Sequence, residues 1–341
     1  MPALDLTSSP LVSVLLPAFN AASTILPAIR SILDGDYPNL ECIVVDDGSE
    51  DDTFRAAKSI QDSRLRIIQQ AHQGVAHAHN RAVREARGTW LARMDADDIA
   101  TPNRLSTQWR FLQEQGCGLI GGGVSIVDME GTPVKSMKRY QDWLNHLNDH
   151  AAIMAQRFVE LPIVNPTLFG HRKWFERGCV QGPFPEDYDF FLNVAQDPSL
   201  KTGKVDETIL FWRDHPERAT RTDQRYEVSS FDACKRHHLL RGPLKNQNRV
   251  VFWGAGQTGK PWIRWLLSQN RSIDCIIDVD PRKIGQRLHG ISVSDPTYLK
   301  ALSTPPECLL IAVGAQGARE KILAHLLKQG CQPGKNAWFL A

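Results

Sequence analysis

The 341-residue chain carries 40 basic and 38 acidic residues, a formal net charge of +2. Charges this evenly balanced give no electrostatic reason to expect nucleic acid as a main partner. The length is large for one domain and comfortable for two. No stretch comes near the ~20 apolar residues that a membrane-spanning helix needs, so we expect no transmembrane segment.

The seven cysteines show no paired close spacing, which argues against a zinc site. Their odd number favours reduced thiols. The first ten residues have neither the basic start nor the apolar core of a secretory leader. The expected location is therefore the cytoplasm, and peripheral contact with the inner face of a membrane is left open.

Strand and helix patterns alternate through residue 114, with strand-like runs at 12–16, 40–45, 65–69 and 89–94. The first run ends in a chain reversal, and the second ends in carboxylates. In a mainly parallel sheet the carboxyl ends of the strands form the ligand edge, so we expect these ends to share one cleft. A simple turn is the alternative for the second end. The residues concerned are Pro17, Ala18, Phe19, Asn20, Asp46 and Asp47.

The fourth run is followed at once by Asp95, Asp97 and Asp98. Carboxylates grouped at the end of a buried strand repel one another and resist desolvation, so a cation is expected there. Hard oxygen ligands suit Mg²⁺ or Mn²⁺. The alternative is an ordinary helix start at Thr101 and Pro102, where acidic residues are favoured by the helix dipole.

A helix is predicted over 75–87. His77 and His79 lie two residues apart and do not share a helix face, so they are interpreted as surface or packing residues. The Gly-rich segment 119–134 predicts a hairpin.

The segment 141–240 has a less regular pattern. A short strand is predicted at 165–169, and a helix is predicted to start near Asp187, where the helix dipole would keep its carboxylate ionised. On the residues alone, helix capping is the more common role for Asp187. The basic run 235–238 is interpreted as a solvated helix face.

Glycine, proline and polar residues at 241–248 predict a domain boundary. The next unit has a strand at 249–253, a glycine-rich turn, a helix and a second strand that ends in an acid. This order is typical of dinucleotide-binding units, although the same glycines also serve tight turns and close packing. A second nucleotide site and a ligand-free scaffold are both open; the candidate residues are Gly254, Gly256, Gly259 and Asp278.

Several motifs together resemble the family 2 glycosyltransferases with the GT-A fold. They are Val14-Leu15-Leu16-Pro17-Ala18-Phe19-Asn20, Val44-Val45-Asp46-Asp47-Gly48-Ser49, Met94-Asp95-Ala96-Asp97-Asp98, Asn165-Pro166-Thr167-Leu168-Phe169 and Pro185-Glu186-Asp187-Tyr188-Asp189. The resemblance implies an α/β chain with a GT-A domain at 1–240. A linker at 241–248 and a small Rossmann-like α/β domain at 249–341 would follow.

The resemblance also implies roles for single residues. Asp187 would be the base that deprotonates the acceptor hydroxyl. Asp97 and Asp98 of the DXD-like motif would hold Mn²⁺ or Mg²⁺. The expected donor-binding residues are Pro17, Ala18, Phe19, Asn20, Asp46, Asp47, Arg81, Asp95, Asp97 and Arg213, with Asp47 on the imide of uracil and Arg213 near the diphosphate.

The implied activity is inverting, metal-dependent transfer from a nucleotide-sugar, most simply a UDP-sugar, to a glycan or lipid-linked hydroxyl acceptor. The setting would be polysaccharide or glycoconjugate synthesis, and oligomerisation is left open. Two alternatives stay in view: a nicotinamide-dependent enzyme that modifies sugar nucleotides, and a non-catalytic sugar-nucleotide-binding protein. The carboxylate pattern argues against the latter, because a pure binder needs no base.

Overall fold

The computed structural model describes residues 9–341. The chain divides into two compact units. The first contains the residues up to 150 together with 162–231, and the second contains residues 151–161 together with 232–341. The predicted linker at 241–248 thus lies inside the second unit, as a series of turns after the helix that ends at Arg241.

Strands are numbered in chain order. They are β1 (Val12–Ala18), β2 (Leu40–Asp46), β3 (Leu65–Gln69), β4 (Trp90–Arg93), β5 (Ile99–Ala100), β6 (Leu119–Val127), β7 (Phe169–His171), β8 (Thr202–Arg213), β9 (Arg249–Trp253), β10 (Ser272–Ile277), β11 (Arg287–Leu288), β12 (Ile291–Ser294), β13 (Leu309–Ile311) and β14 (Ala337–Phe339).

The α-helices are numbered in the same way. They are α1 (Ile25–Leu33), α2 (Thr53–Lys58), α3 (Val75–Glu85), α4 (Arg104–Gln115), α5 (Lys138–His146), α6 (His150–Gln156), α7 (Arg172–Phe175), α8 (Glu186–Val194), α9 (Ala219–Thr222), α10 (Val228–Arg241), α11 (Gly259–Ser268), α12 (Tyr298–Ala301) and α13 (Ala318–Lys328). None of the helices within residues 9–341 has the length and apolarity to cross a membrane.

The first unit is built on an eight-stranded sheet with the order β3-β2-β1-β4-β7-β6-β8-β5. Strands β3, β2, β1 and β4 run parallel, and β7 joins them antiparallel. Because α1, α2 and α3 connect the parallel strands, the carboxyl ends of β1, β2 and β4 meet at one edge. This edge carries the predicted Asp46, Asp47 and the acids after β4.

The central strands are buried along their whole length, which explains their almost continuous apolar sequence. Every residue of β1 and β2 is buried. Two buried polar residues of these strands are hydrogen-bonded to each other: the Ser13 hydroxyl donates to Glu41 Oε1 at 2.6 Å. Apolar side chains from α1 and the sheet complete the core of this unit.

The second unit has a six-stranded sheet with the order β11-β12-β10-β9-β13-β14. Strands β12, β10, β9, β13 and β14 are parallel, and β11 is antiparallel. Counted within this unit, the parallel order is 3-2-1-4-5, the order of doubly wound nucleotide-binding sheets. The glycine-rich turn after β9 therefore lies where the strand order reverses.

Two local predictions were wrong. Residues Asn165–Thr167 form a 3₁₀ turn, because Pro166 favours a helical first turn, and the strand begins only at Phe169. The basic run 235–238 is not a solvated face: Lys235 and His238 are buried, and the Lys235 ammonium donates to the carbonyl of Leu340 at 3.4 Å. Packing within the second unit thus buries two of the basic residues that were predicted to be exposed to solvent.

Candidate active site

Three carboxylates lie together in the turn between β4 and β5. Asp95, Asp97 and Asp98 offer ligand oxygens that all lie within 4.8 Å of one another. Strand β4 pairs with β1, so this acid cluster stands at the carboxyl edge of the parallel strands. The structure therefore brings the three predicted acids to the expected edge.

Buried arginines support the acid cluster from within the fold. Arg93 donates to Asp95, with Nη2 and Oδ1 2.7 Å apart, and its side chain is 3% exposed. Arg104, at the start of α4, is also buried and donates to the carbonyl of Arg93 at 2.6 Å. These guanidinium groups offset the charge of carboxylates that the sheet removes from water.

The end of β8 supplies further contacts to the cluster. The backbone N–H of Arg213 donates to Asp98 Oδ1 at 2.9 Å, and the Arg213 guanidinium donates to the carbonyl of Asp97. His215 Nε2 lies 3.0 Å from Asp97 Oδ2. A segment more than a hundred residues away in sequence thus completes the cluster.

The negative charge of the acid cluster is only partly neutralised by the groups around it. Burial, and then the charges of Asp97 and Asp95, raise the pKa of Asp98 well above its usual value. Burial likewise raises the pKa of Asp95, against the opposing charge of Arg93. Burial also opposes ionisation of Asp97, but the His215 hydrogen bond and the charges of Arg218 and His215 together outweigh it, and the pKa is lowered. Since Asp98 Oδ2 is buried and has no hydrogen-bond partner within residues 9–341, this oxygen-rich set fits a divalent cation.

On the nucleotide side, the Asp47 carboxylate holds the segment 70–74 against the end of β2. It accepts hydrogen bonds from the Gly74 N–H at 2.7 Å, the Gln73 N–H at 3.1 Å and Gln70 Nε2 at 2.7 Å. Gly74 adopts a φ of 93°, a conformation that L side chains rarely take. This anchoring role of Asp47 has no signal in the sequence, because its partners are contributed by another loop.

Asp46 and Asn20 tie the two neighbouring loops together. Asp46 accepts from the Ser49 hydroxyl and from Gln69 Nε2, the latter at 3.0 Å. The Asn20 N–H donates to Ser49 Oγ at 3.0 Å, and Asn20 Oδ1 accepts from the Glu50 N–H at 2.9 Å. The predicted reversal after β1 is therefore fixed to the loop after β2.

An exposed aromatic surface borders these loops. Phe19 is 44% exposed, and its ring stacks on His72 with centroids 4.1 Å apart. Arg81, also predicted for the cleft, pairs with Glu85 on the same helix at 2.9 Å. In the part of the chain described, that ion pair does not link Arg81 to the acid cluster.

The predicted acceptor acids begin helix α8. Glu186 is buried, whereas Asp187 is half-buried in the same first turn. Burial raises the pKa of Glu186, and the positive charges of Arg225 and Arg93 oppose this shift. Because Arg93 also pairs with Asp95, Glu186 and the acid cluster lie within electrostatic reach of the same guanidinium.

In the second unit, two of the three predicted glycines are required by packing alone. A Cβ on Gly254 would lie 2.3 Å from the Ala312 carbonyl oxygen, and one on Gly259 would lie 1.9 Å from the Gly254 carbonyl oxygen. At Gly256 the nearest atom is 3.9 Å away, Lys283 Nζ. The turn therefore has open space only above Gly256 among these three.

Asp278, the predicted acid after β10, contacts the same turn. Its Oδ2 accepts from the Ala255 N–H at 2.8 Å and from Lys283 Nζ at 3.1 Å. This carboxylate therefore fixes the glycine-rich turn to the end of the neighbouring strand.

Sequence reasoning missed His215 and Arg218 as site residues. The Arg218 guanidinium lies 4.3 Å from the Trp212 ring centroid, and its charge contributes to lowering the pKa of Asp97. The available signal was the cluster of basic residues directly after an apolar strand end, in Trp212-Arg213-Asp214-His215. Only Arg213 was selected from it.

Residues 13–179 match the family model described as glycosyl transferase family 2. The chain is 34% identical over 128 residues to the putative teichuronic acid biosynthesis glycosyltransferase TuaG of Bacillus subtilis, which covers 37% of this chain and 51% of the relative. It is 28% identical over 194 residues to the UDP-Glc:alpha-D-GlcNAc-diphosphoundecaprenol beta-1,3-glucosyltransferase WfgD of Escherichia coli, covering 56% and 72%. The chain thus spans about half the length of the first relative.

The fold is similar to that of S. aureus TarS 1-349, solved in complex with UDP-GlcNAc. The TM-score is 0.54 at 17% identity, and the match covers 68% of this chain and 67% of that one. Together with the family model, this shows that the chain contains a family 2 glycosyltransferase domain, matched at residues 13–179, and that its first unit has the GT-A fold.

Proposed function

We propose that this chain transfers a sugar from a UDP-sugar to a hydroxyl group of a glycan or lipid-linked acceptor, with inversion at the anomeric carbon. The observation that carries the proposal is the pairing of two acidic sites around Arg93. One is the acid cluster, with its unpartnered Asp98 oxygen. The other is the start of α8 with Asp187. A sugar transferase needs both a site for the diphosphate and a base for the acceptor.

The donor class is supported by the nucleotide side of the edge and by the relatives. WfgD is named for UDP-Glc, and TarS was solved with UDP-GlcNAc. The exposed ring of Phe19 offers a flat apolar face on which a base could stack. Asp46, Asp47 and the backbone of residues 17–20 would form the surrounding cradle.

Asp95, Asp97 and Asp98, with His215 beside Asp97, would hold the divalent cation. Bound there, Mn²⁺ or Mg²⁺ supplies Lewis-acid neutralisation of a diphosphate. Arg213 adds a fixed positive charge, and its buried Nη2 has no recorded partner within residues 9–341. Arg213 and Arg218 are therefore placed to stabilise negative charge on a departing diphosphate.

In the transfer step, Asp187 accepts the proton of the acceptor hydroxyl. The hydroxyl oxygen forms a bond to the anomeric carbon as the bond from that carbon to the diphosphate oxygen breaks, and the electron pair leaves with UDP. Since a single displacement occurs, the anomeric configuration inverts. Asp187 lies in the first turn of α8, where the helix dipole favours a carboxylate.

The names of two relatives support a biological setting. One is named for teichuronic acid biosynthesis and one for a diphosphoundecaprenol-linked acceptor. We therefore propose a role in assembling a polysaccharide or glycoconjugate at the cytoplasmic face of a membrane. The nicotinamide alternative accounts for none of the acids in the first unit, and a pure binder would not need Asp187.

Metal-dependent UDP binding tests the proposal. With Mn²⁺ present, UDP at about 100 times its Kd should stabilise the protein by ~2.7 kcal/mol and raise the melting temperature. A chelator should remove most of this shift. Asp98→Asn should remove it too, whereas Asp142→Asn, which alters an exposed ion pair with Lys138, should keep it.

Equal stabilisation by UDP in excess chelator would exclude a metal site at the acid cluster. Transfer is then measured with a set of UDP-sugars, and NMR of the product reports the anomeric configuration. A product that retains the donor configuration would contradict the single displacement.

A further inference from the structure

The segment 223–226 fastens the first turn of α8. The Tyr226 hydroxyl donates to Glu186 Oε1 at 2.9 Å, and Arg225 Nη1 donates to Glu186 Oε2 at 3.3 Å. Each oxygen of this carboxylate thus has a donor from the same segment. Glu186 is therefore bound as an anchor, and its neighbour Asp187 is the one half-exposed at the helix start.

The carboxylate in these contacts is buried, and its two donor residues are half-buried. The Glu186 side chain is 6% exposed and that of Arg225 is 19% exposed. Burial first, and then the charges of Asp187 and Glu186, raise the pKa of Tyr226 well above its usual value, so its hydroxyl stays protonated and can donate. A hydrogen bond from such a donor to a carboxylate is stronger than one between neutral groups.

Arg225 is itself held in place. Its Nε lies 3.1 Å from Asp223 Oδ1, and its Nη2 lies 2.5 Å from Asp223 Oδ2. This ion pair with Asp223 holds the guanidinium in the orientation in which its Nη1 contacts Glu186. The segment therefore presents two prearranged donors to one carboxylate.

The chain that leads into α8 is fixed by a second contact. Asn80 of α3 donates from Nδ2 to the Cys179 carbonyl at 2.7 Å and accepts from the Cys179 N–H at 2.9 Å. The helix start is thus held on its N-terminal side by Asn80 and at its first residue by Tyr226 and Arg225. These contacts hold the backbone next to Asp187, whose own carboxylate does not accept any of them.

We propose that Tyr226 is a positioning residue for sugar transfer: by bonding Glu186, it sets the backbone from which Asp187 meets the acceptor hydroxyl. The inference rests on the proposed function, since it assigns the proton transfer to Asp187. It goes further in assigning different tasks to two adjacent acids and in giving the segment 223–226 a part in the reaction.

The test uses Tyr226→Phe in the full chain. Losing this part-buried hydrogen bond to a carboxylate should lower kcat for transfer about tenfold or more. The donor KM and the Mn²⁺-dependent UDP shift should stay at wild-type values. The acid limb of the kcat–pH profile should move, because the surroundings of Asp187 change. A purely structural role would instead lower the melting temperature and leave this profile in place.

A double-mutant cycle shows whether Tyr226 acts through Glu186. Glu186→Gln keeps an oxygen that accepts from Tyr226, so it should retain more transfer than Tyr226→Phe, and the double variant should be no slower than Tyr226→Phe alone. The control is Arg221→Ala, which breaks a surface pair with Asp214 in the neighbouring stretch and should leave kcat unchanged.

Unchanged kcat in Tyr226→Phe, or additive losses in the cycle, would overturn the inference. A wild-type protein that transfers no sugar would instead overturn the proposed function. Should Tyr226→Phe fail to fold, Glu186→Asp gives the same test, because it keeps the charge but shortens the reach to Tyr226.

Discussion

At the scale of single residues, identical chemical groups take different tasks because their surroundings differ. Asp98 is buried with one unpartnered oxygen, Glu186 is buried with both oxygens bonded, and Asp187 is half-buried at a helix start. Desolvation and hydrogen bonding decide which carboxylate can take a cation, which can anchor and which can accept a proton.

Asp187→Asn separates the base from the donor site. The amide is nearly isosteric but cannot accept the acceptor's proton, so transfer should fall by the ~10²–10⁴ that a positioned base contributes. UDP affinity with Mn²⁺ should stay unchanged in calorimetry. Near-normal transfer in this variant would make Asp187 a helix-capping residue and direct attention to Asp189.

His79 should make the protein sensitive to mild acid. It lies between the rings of Phe175 and Phe190, 4% exposed, and burial, followed by the charge of Arg93, lowers its pKa to about 3. The unfolded chain binds a proton near pH 6.5 while the folded protein does not. Stability is therefore complete above pH 6.5 and falls as the pH decreases towards 3.

Between pH 7 and pH 5 this loss should amount to about 2 kcal/mol of unfolding free energy. His79→Phe should remove that part of the pH dependence, measured by urea unfolding at both pH values. His77→Phe is the matched control, because His77 is exposed on the same helix and its replacement should leave the loss intact. Parallel stability curves for His79→Phe and wild type would rule out this origin.

At the scale of elements, the strands form the scaffold and the segments between them carry the chemistry. The parallel strands β1, β2 and β4 end at one edge because α1, α2 and α3 return the chain each time to the opposite edge. The loops at that edge are then fastened to one another by side chains, as Asp47 fastens the segment 70–74. An ordered edge of this kind reduces the entropy that donor binding would otherwise cost.

Gly74 tests this fastening. Its φ of 93° disfavours any side chain, and a Cβ would lie 3.0 Å from the Gln181 amide. Gly74→Ala should therefore displace the N–H that bonds Asp47, weaken UDP binding by about 1 kcal/mol or more and leave the fold intact. Calorimetry with UDP and Mn²⁺ measures this change. Gly116→Ala, which also has a positive φ but open space, is the control and should bind UDP normally.

At the scale of the whole molecule, the chain contains a glycosyltransferase unit and a second, mainly parallel sheet with a glycine-rich turn. The order of that sheet places the glycine-rich turn at a reversal of strand order, where doubly wound sheets bind nucleotides. A sheet of this order can also serve as a scaffold for packing or oligomerisation.

Two glycine variants distinguish these roles. A Cβ at position 256 would have Lys283 Nζ as its nearest atom, 3.9 Å away, so Gly256→Val should fold. If a phosphate binds above Gly256, this variant should lose nucleotide binding. Gly259→Val should destabilise the unit whatever its role, because its Cβ would collide with the Gly254 carbonyl. Calorimetry of the full chain with NAD⁺, NADP⁺ and UDP-sugars reads the result. Equal heats in Gly256→Val and wild type with each of these nucleotides would favour the scaffold.

Much of the fold could be predicted from the sequence, because its signals are local. Continuous apolar runs predicted β1 and β2, and the turn residues and acids that follow them predicted the ligand edge. Glycines before a helix and an acid after the next strand predicted the second sheet. In each case a short stretch of sequence is enough to predict the element, because the element depends on the burial of that strand or on the φ of that glycine.

The partners of the acids could not be predicted in this way. Asp98 and Arg213 are 115 residues apart, and Asp97 and His215 are 118 apart, so no periodicity connects them. The same holds for Tyr226 and Glu186, and for residues 151–161, which pack into the second unit. The sequence by itself determined which strands end in carboxylates. Only the tertiary structure decided which of those carboxylates is neutralised, anchored or left able to react, because desolvation and pairing depend on segments that are distant in the chain.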